Sequence, residues 1–123
     1  MEKNSWKQVR HNNRNSHVPN ARWGHSCCVI EDEVIYFGGY AGTPTNNTDS
    51  TYMNDLWSFN SITMEWKEVE TIGEIPSPRS NCSINYDRPN NKIIVFGGGG
   101  PNKVRYNSIN ILDWKTKQWT EIT

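Results

Sequence analysis

One six-residue phrase occurs twice in this chain, and no other feature restricts its fold as much. Val34-Ile35-Tyr36-Phe37-Gly38-Gly39 returns fifty-nine residues on as Ile93-Ile94-Val95-Phe96-Gly97-Gly98. Each copy runs four residues of high strand propensity into a glycine pair, so a strand ends where the backbone needs conformations closed to other residues. The flanks repeat too. Pro78 to Tyr86 answers Ala21 to Val29, Asn107 to Asp113 answers Asn54 to Asn60, and Gln118 to Ile122 answers Glu65 to Val69. Asn60 to Trp66 and Asp113 to Trp119 are both six residues apart, which predicts a hairpin whose register is kept without a gap. The loops differ in length between the halves while the strand phrases do not, as an antiparallel sheet tolerates.

A fixed period of this kind indicates a repeat architecture. Each repeat carries four short strand candidates, and no segment sustains a helical period. Trp6-Lys7-Gln8-Val9 also matches Trp66-Lys67-Glu68-Val69, so it reads as a third copy of the fourth strand. The expected organisation of residues 1–123 is one all-β region with an orphan outer strand at 4–9 and two four-stranded units at 19–69 and 76–122.

These residues resemble the kelch repeat, the blade of a family of β-propellers. The resemblance rests on Pro19 with Arg22, Gly24-His25-Ser26, Gly38-Gly39, Asn54-Asp55-Leu56 and Trp66 in the first copy. The second keeps Arg79, Ser83, Gly97-Gly98 and Trp119, and departs at Asn81-Cys82 and Asn107-Ser108-Ile109. It implies kelch-type blades, two four-stranded antiparallel sheets plus the orphan N-terminal strand. Propellers protect their edges by radial repetition of typically about four to eight blades. Two blades leave faces uncovered, and Ile35, Phe37, Ile94 and Phe96 are expected there. The remaining blades of a longer chain are the expected neighbours, in preference to self-association, with residues 4–9 the outer strand of a closing blade.

Composition narrows the function. Thirteen basic and thirteen acidic residues cancel, which argues against a nucleic-acid surface built on phosphate contacts. No apolar run approaches the length of a membrane span, and residues 1–10 lack the apolar centre of a signal peptide. Three cysteines, an odd number, suit a reducing cytoplasmic setting better than a disulfide framework. Adjacent Cys27 and Cys28 point to opposite faces if they lie on a strand.

The resemblance implies a non-catalytic protein-interaction module, part of a scaffold or adaptor, with no cofactor and a protein partner of unspecified identity. Links between strands 2 and 3 and between 4 and 1 emerge at one end of a blade, and they are the long ones here. The candidate partner-binding residues on that face are Tyr40, Thr43, Thr45, Asn47, Asn102, Lys103, Arg105 and Tyr106. Tyr and Arg are the types most often energetic in interfaces. Arg22, Gly38, Gly39, Trp66, Arg79, Gly97, Gly98 and Trp119 read as scaffold, the arginines bonding loop carbonyls. Asp55 and Asp113 read as turn carboxylates.

Two other classes were weighed. A propeller enzyme similar to galactose oxidase would need copper held by Tyr and His; Tyr40 and Tyr106 lie in suitable loops, but no His stands beside them. A sugar-active propeller or a cytoskeleton-binding kelch protein completes the alternatives. Gly97 to Gly100 is followed by Pro101 rather than by Lys-Ser/Thr and a helix, so it is not a phosphate loop. His11, His17 and His25 have no metal-ligand spacing, and no Ser-His-Asp arrangement follows from the sequence.

Overall fold

The computed structural model describes residues 4–42 and 51–122. Two sheets account for nearly all of the regular structure. The first is an antiparallel meander of β1 (Ser26–Ile30), β2 (Glu33–Tyr40), β3 (Tyr52–Asn60) and β4 (Glu65–Glu68), in the order β1-β2-β3-β4. The second repeats it with β6 (Ser83–Asp87), β7 (Lys92–Phe96), β8 (Ile109–Asp113) and β9 (Gln118–Ile122). A short β5 (Ile72–Gly73) lies parallel to β9 on its outer side.

The β3–β4 and β8–β9 turns show why the hairpin register repeats. Asn60 Oδ1 accepts the amides of Ile62 and Thr63 at 2.8 and 3.0 Å. Asp113 Oδ1 accepts those of Lys115 and Thr116 at 2.9 and 3.1 Å. Both are side chains that close their own turns, and each turn ends on a left-handed residue, Met64 or Lys117. Asp113 also holds Lys92 Nζ at 3.0 Å.

The core lies between the sheets. Ile30, Ile35, Phe37 and Leu56 on one face of the first meet Cys82, Ile93, Val95, Leu112 and Trp119 on the second. Phe37 packs on Trp119 with ring centroids 5.6 Å apart. Ile35 and Phe37 are therefore 0% and 1% exposed, which corrects their expected place on an uncovered face. Ile94 and Phe96, their counterparts in the second repeat, do lie on the far face, with Phe96 50% exposed. The front of the first sheet packs on the back of the second, so the same two-residue alternation that buries Ile35 and Phe37 leaves Ile94 half-buried and Phe96 exposed.

The ninth strand is not the one anticipated. Residues 4–10 carry no strand pairing and are exposed, Trp6 completely. A strand needs a neighbour, and no described segment supplies one. The additional strand is β5, from a link expected to be irregular. Both links that precede a blade run along that blade's outermost strand. Ile72 and Glu74 donate to the carbonyls of Lys117 and Trp119 at 2.9 and 3.0 Å. At the equivalent place Asn12 donates to the Met64 carbonyl at 2.7 Å. The Asn13 side chain bonds both the carbonyl and the amide of Trp66, at 2.9 and 2.7 Å. The links thereby occupy edge groups that would otherwise be open to another strand.

Candidate functional site

The second glycine pair, the loop after it and the chain entering the second sheet meet at one end of the molecule. Gly38 and Gly97 have φ of 68° and 74°, which favours glycine. At Gly38 space forbids a side chain as well: a Cβ would lie 2.7 Å from the Arg79 carbonyl oxygen. That approach is the junction of the blades, where Gly39 donates to the Arg79 carbonyl at 2.9 Å and Arg79 donates to the Met53 carbonyl at 3.0 Å.

The two arginines do the same work inside their own sheets. Arg22 Nε and Nη1 donate to the carbonyls of Asn20 and Gly38, at 3.1 and 3.2 Å. Arg79 Nε and Nη1 donate to those of Ser77 and Gly97, at 3.0 and 3.1 Å. Beyond that they differ. Arg22 forms a bidentate pair with Asp55 at 2.6 and 3.0 Å, which makes Asp55 an ion-pair partner within β3 rather than a turn carboxylate. Burial pushes the Asp55 pKa up, but hydrogen bonds from Arg22 and Trp57 and the guanidinium charge outweigh this and hold it below the usual range. Arg79 is 1% exposed and has Ser108 at 3.4 Å in place of a carboxylate. The Tyr106 ring covers it, 3.9 Å from the guanidinium carbon.

Above this junction lies a cavity of about 740 Å³. Lys103, Arg105 and Tyr106 line it together with Tyr52 of β3 and Ser80 and Asn81 from the chain entering the second sheet. Pro101–Lys103 forms a single 3-10 turn, in which Asn102 and Lys103 have φ near 60°. Asn102 is exposed beside the cavity without lining it. Tyr40 stands one ring away: it packs on Tyr52 with centroids 4.8 Å apart and on Trp23 at 5.1 Å. Thr43, Thr45 and Asn47 lie outside the described residues.

Comparison with known proteins agrees with these blades. The family model described as the KLHDC2/KLHL20/DRC7 Kelch-repeats domain matches residues 1–123. The chain belongs to the kelch-repeat family. Dynein regulatory complex subunit 7 of Chlamydomonas reinhardtii is 34% identical over 80% of this chain and 8% of its own length. Rho GTPase-activating protein gacHH of Dictyostelium discoideum is 39% identical over 68% of this chain and 5% of its own. Human Kelch domain-containing protein 3 is 36% identical over 68% and 20%. The chain thus spans a fifth or less of the length of these relatives.

The kelch blades also show what sequence reasoning missed. Tyr52, Ser80 and Asn81 line the cavity yet stood outside the anticipated set. The signal was available for Ser80 and Asn81, which directly follow an arginine shared by both repeats. The fourth-to-first links, anticipated at the loop end, instead lie partly along the outer strands, at Asn12–Asn13 and Ile72–Gly73. Cys27 is exposed, Cys28 half-buried and Cys82 buried, all unpaired. Burial, helped by the neighbouring Cys27, pushes the Cys28 thiol up to about 11, which disfavours the thiolate at neutral pH. Among the described residues, no group of three or more His, Cys, Asp or Glu could hold a metal ion, and no helix is long and apolar enough to cross a membrane.

Proposed function

We propose that this chain supplies two blades of a larger kelch propeller, a cytoplasmic, non-catalytic module that binds a protein through its loop face. The observation that carries the binding part is the loop-face cavity, where Lys103, Arg105 and Tyr106 converge with Tyr52 and Ser80. The loop that carries Lys103, Arg105 and Tyr106 joins β7 to β8, and binding residues concentrate on loops carried by such sheet scaffolds. Cationic and aromatic groups together suit a protein segment with acidic and apolar residues. The relatives' names, a regulatory-complex subunit and a GTPase-activating protein, accord with a regulatory role.

The larger ring draws support from both uncovered faces. Phe96, Ile109 and Ile122 are exposed on the front of the second blade, and Val29 on the back of the first. Tyr36, Phe59 and Trp66 are only half-buried there. Each face matches one that is buried at the junction within the chain, so a further blade on either side would continue the same packing. The links point the same way. Ile72 meets its blade's outer strand six residues after Trp66, and Asn12 does so six residues after Trp6. Residues 4–9 therefore stand to the first blade as β4 stands to the second.

A photo-cross-linking amino acid at position 103 or 105, with position 115 at the opposite end as control, tests the binding face in cells. Protein adducts from 103 and 105 and none from 115 are expected. Adducts from 115 alone, or from no position, would refute the assignment. Light scattering tests the ring: a stable, monodisperse trimer of this chain would show that self-association, not further blades, covers the exposed faces.

A further inference from the structure

The two blades are close copies, so a place where one arginine has a carboxylate and its counterpart has none is informative. In the first blade Arg22 is neutralised by Asp55, and the Trp57 indole donates to the same carboxylate at 2.7 Å. His17 packs on Trp57 with ring centroids 5.1 Å apart. The corresponding residues of the second blade are Ser108 and Asn110, both smaller and neutral. Beside Arg79 and Ser108 lies a cavity of about 490 Å³, lined also by Ser77, Arg105, Tyr106 and Glu121.

Arg79 at its base is a buried cation. An arginine does not shed its charge, and a buried charge is costly unless paired. Its hydrogen bonds go to carbonyls and hydroxyls, which orient around the charge without cancelling it. The nearest route to an anion is a chain: Ser108 Oγ to Asn110 Oδ1 at 3.1 Å, then Asn110 Nδ2 to Glu121 Oε1 at 3.4 Å. Two guanidiniums against one carboxylate leave the lining with net positive charge.

We infer that this cavity is a binding site for a carboxylate supplied by another molecule, an Asp or Glu side chain of a bound protein, in the position that Asp55 holds in the first blade. Geometry favours carboxylate over other anions, because the sister site binds one bidentately through the same guanidinium edge. The Tyr106 ring covers the guanidinium face, so a carboxylate reaches it in plane, taking the place of Ser108 Oγ at 3.4 Å from Nη1. Only the source of the carboxylate rests on the protein-binding reading above. Acetate tests the site without it, so failure here leaves the loop-face reading standing, and a failed cross-link leaves an acetate result standing.

The test follows arginine Nε–Hε signals of the chain by NMR during titration with sodium acetate, sodium chloride or sodium phosphate at constant ionic strength. Acetate is expected to move the Arg79 signal along a saturating curve with Kd on the order of 10 mM, what one bidentate charge-assisted pair provides. The Arg22 signal stays in place, since Asp55 already occupies that edge. Ser108→Asp places a carboxylate within the chain and removes the response. If that variant does not fold, Arg105→Gln, which takes the exposed second guanidinium out of the lining, is expected to weaken the acetate response several-fold. A shift that never saturates, one equal to that with chloride, or one undiminished in the folded variant would overturn the proposal. Phosphate binding as tightly as acetate would overturn the carboxylate assignment.

Discussion

Replacing Gly38 or Gly97 by Ala separates two reasons for a glycine that sequence alone merges. Both lie at the same repeat position with nearly the same φ, 68° and 74°. Ala in that left-handed conformation costs about 1–2 kcal/mol in either place. The surroundings differ. The new Cβ at Gly38 would meet the Arg79 carbonyl at 2.7 Å and the Met53 carbonyl at 3.2 Å, whereas at Gly97 the nearest atom is the Tyr106 carbonyl at 3.4 Å. The first contact forces backbone apart at the blade junction, and overpacking of that kind costs about 1–3 kcal/mol more. The shift also strains two hydrogen bonds, Gly39 to Arg79 and Arg79 to Met53. We expect G38A to lose about 2–5 kcal/mol and G97A about 1–2. Urea unfolding followed by tryptophan fluorescence measures both, and unchanged m-values would show that the folded state stays compact. Equal losses, or a larger one for G97A, would refute the reasoning, since the junction contact would then contribute nothing.

Three further outcomes follow from the same geometry. Phe37→Ala removes a buried ring packed at a tilt against Trp119 and is expected to cost about 3–5 kcal/mol, while Phe96→Ala, at the half-exposed counterpart, costs far less in the isolated chain; thermal melts compare them. Asp55→Ala leaves Arg22 with a side chain 8% exposed and no countercharge, for an expected loss of about 3 kcal/mol in urea unfolding. Asp113 is held down to about 2 by Lys92 first and by the amides of Thr116 and Lys115. Its folded pKa lies below its unfolded value, so its contribution is full above about pH 4 and disappears as pH falls towards 2. Carboxyl NMR titration should find that low pKa, and Asp113→Asn should flatten the acid limb of stability.

Strand content and order were legible because they depend on local pattern. The alternation Ile35, Phe37 against Val34, Tyr36 and the paired turns at Asn60 and Asp113 each fix their element within a few residues. Which alternating face would be covered was not legible. Ile35-Phe37 and Ile94-Phe96 have the same local pattern and opposite fates, because burial depends on which sheet follows in space. The edges were hidden for a related reason. Asn13 bonds the backbone of Trp66 with its side chain, and Ile72-Gly73 pairs with β9 through its main chain. Neither leaves an apolar period to read, since main-chain pairing is available to almost any residue.

Similarity between the repeats made the fold readable and concealed the site. Aligning Asn54-Asp55-Leu56-Trp57 with Asn107-Ser108-Ile109-Asn110 treats Ser108 and Asn110 as tolerated departures from a pattern. In the structure they are the two changes that leave Arg79 without the carboxylate and the indole that complete Arg22. A repeat that only had to stack would lose stability by that exchange, because a buried guanidinium with no carboxylate in direct contact is worse than a paired one. The sheet instead keeps the arginine, covers its face with Tyr106 and opens a cavity beside it. In a chain of near-identical blades, the blade that breaks its own rule at a buried charge is the one whose surroundings a ligand would complete.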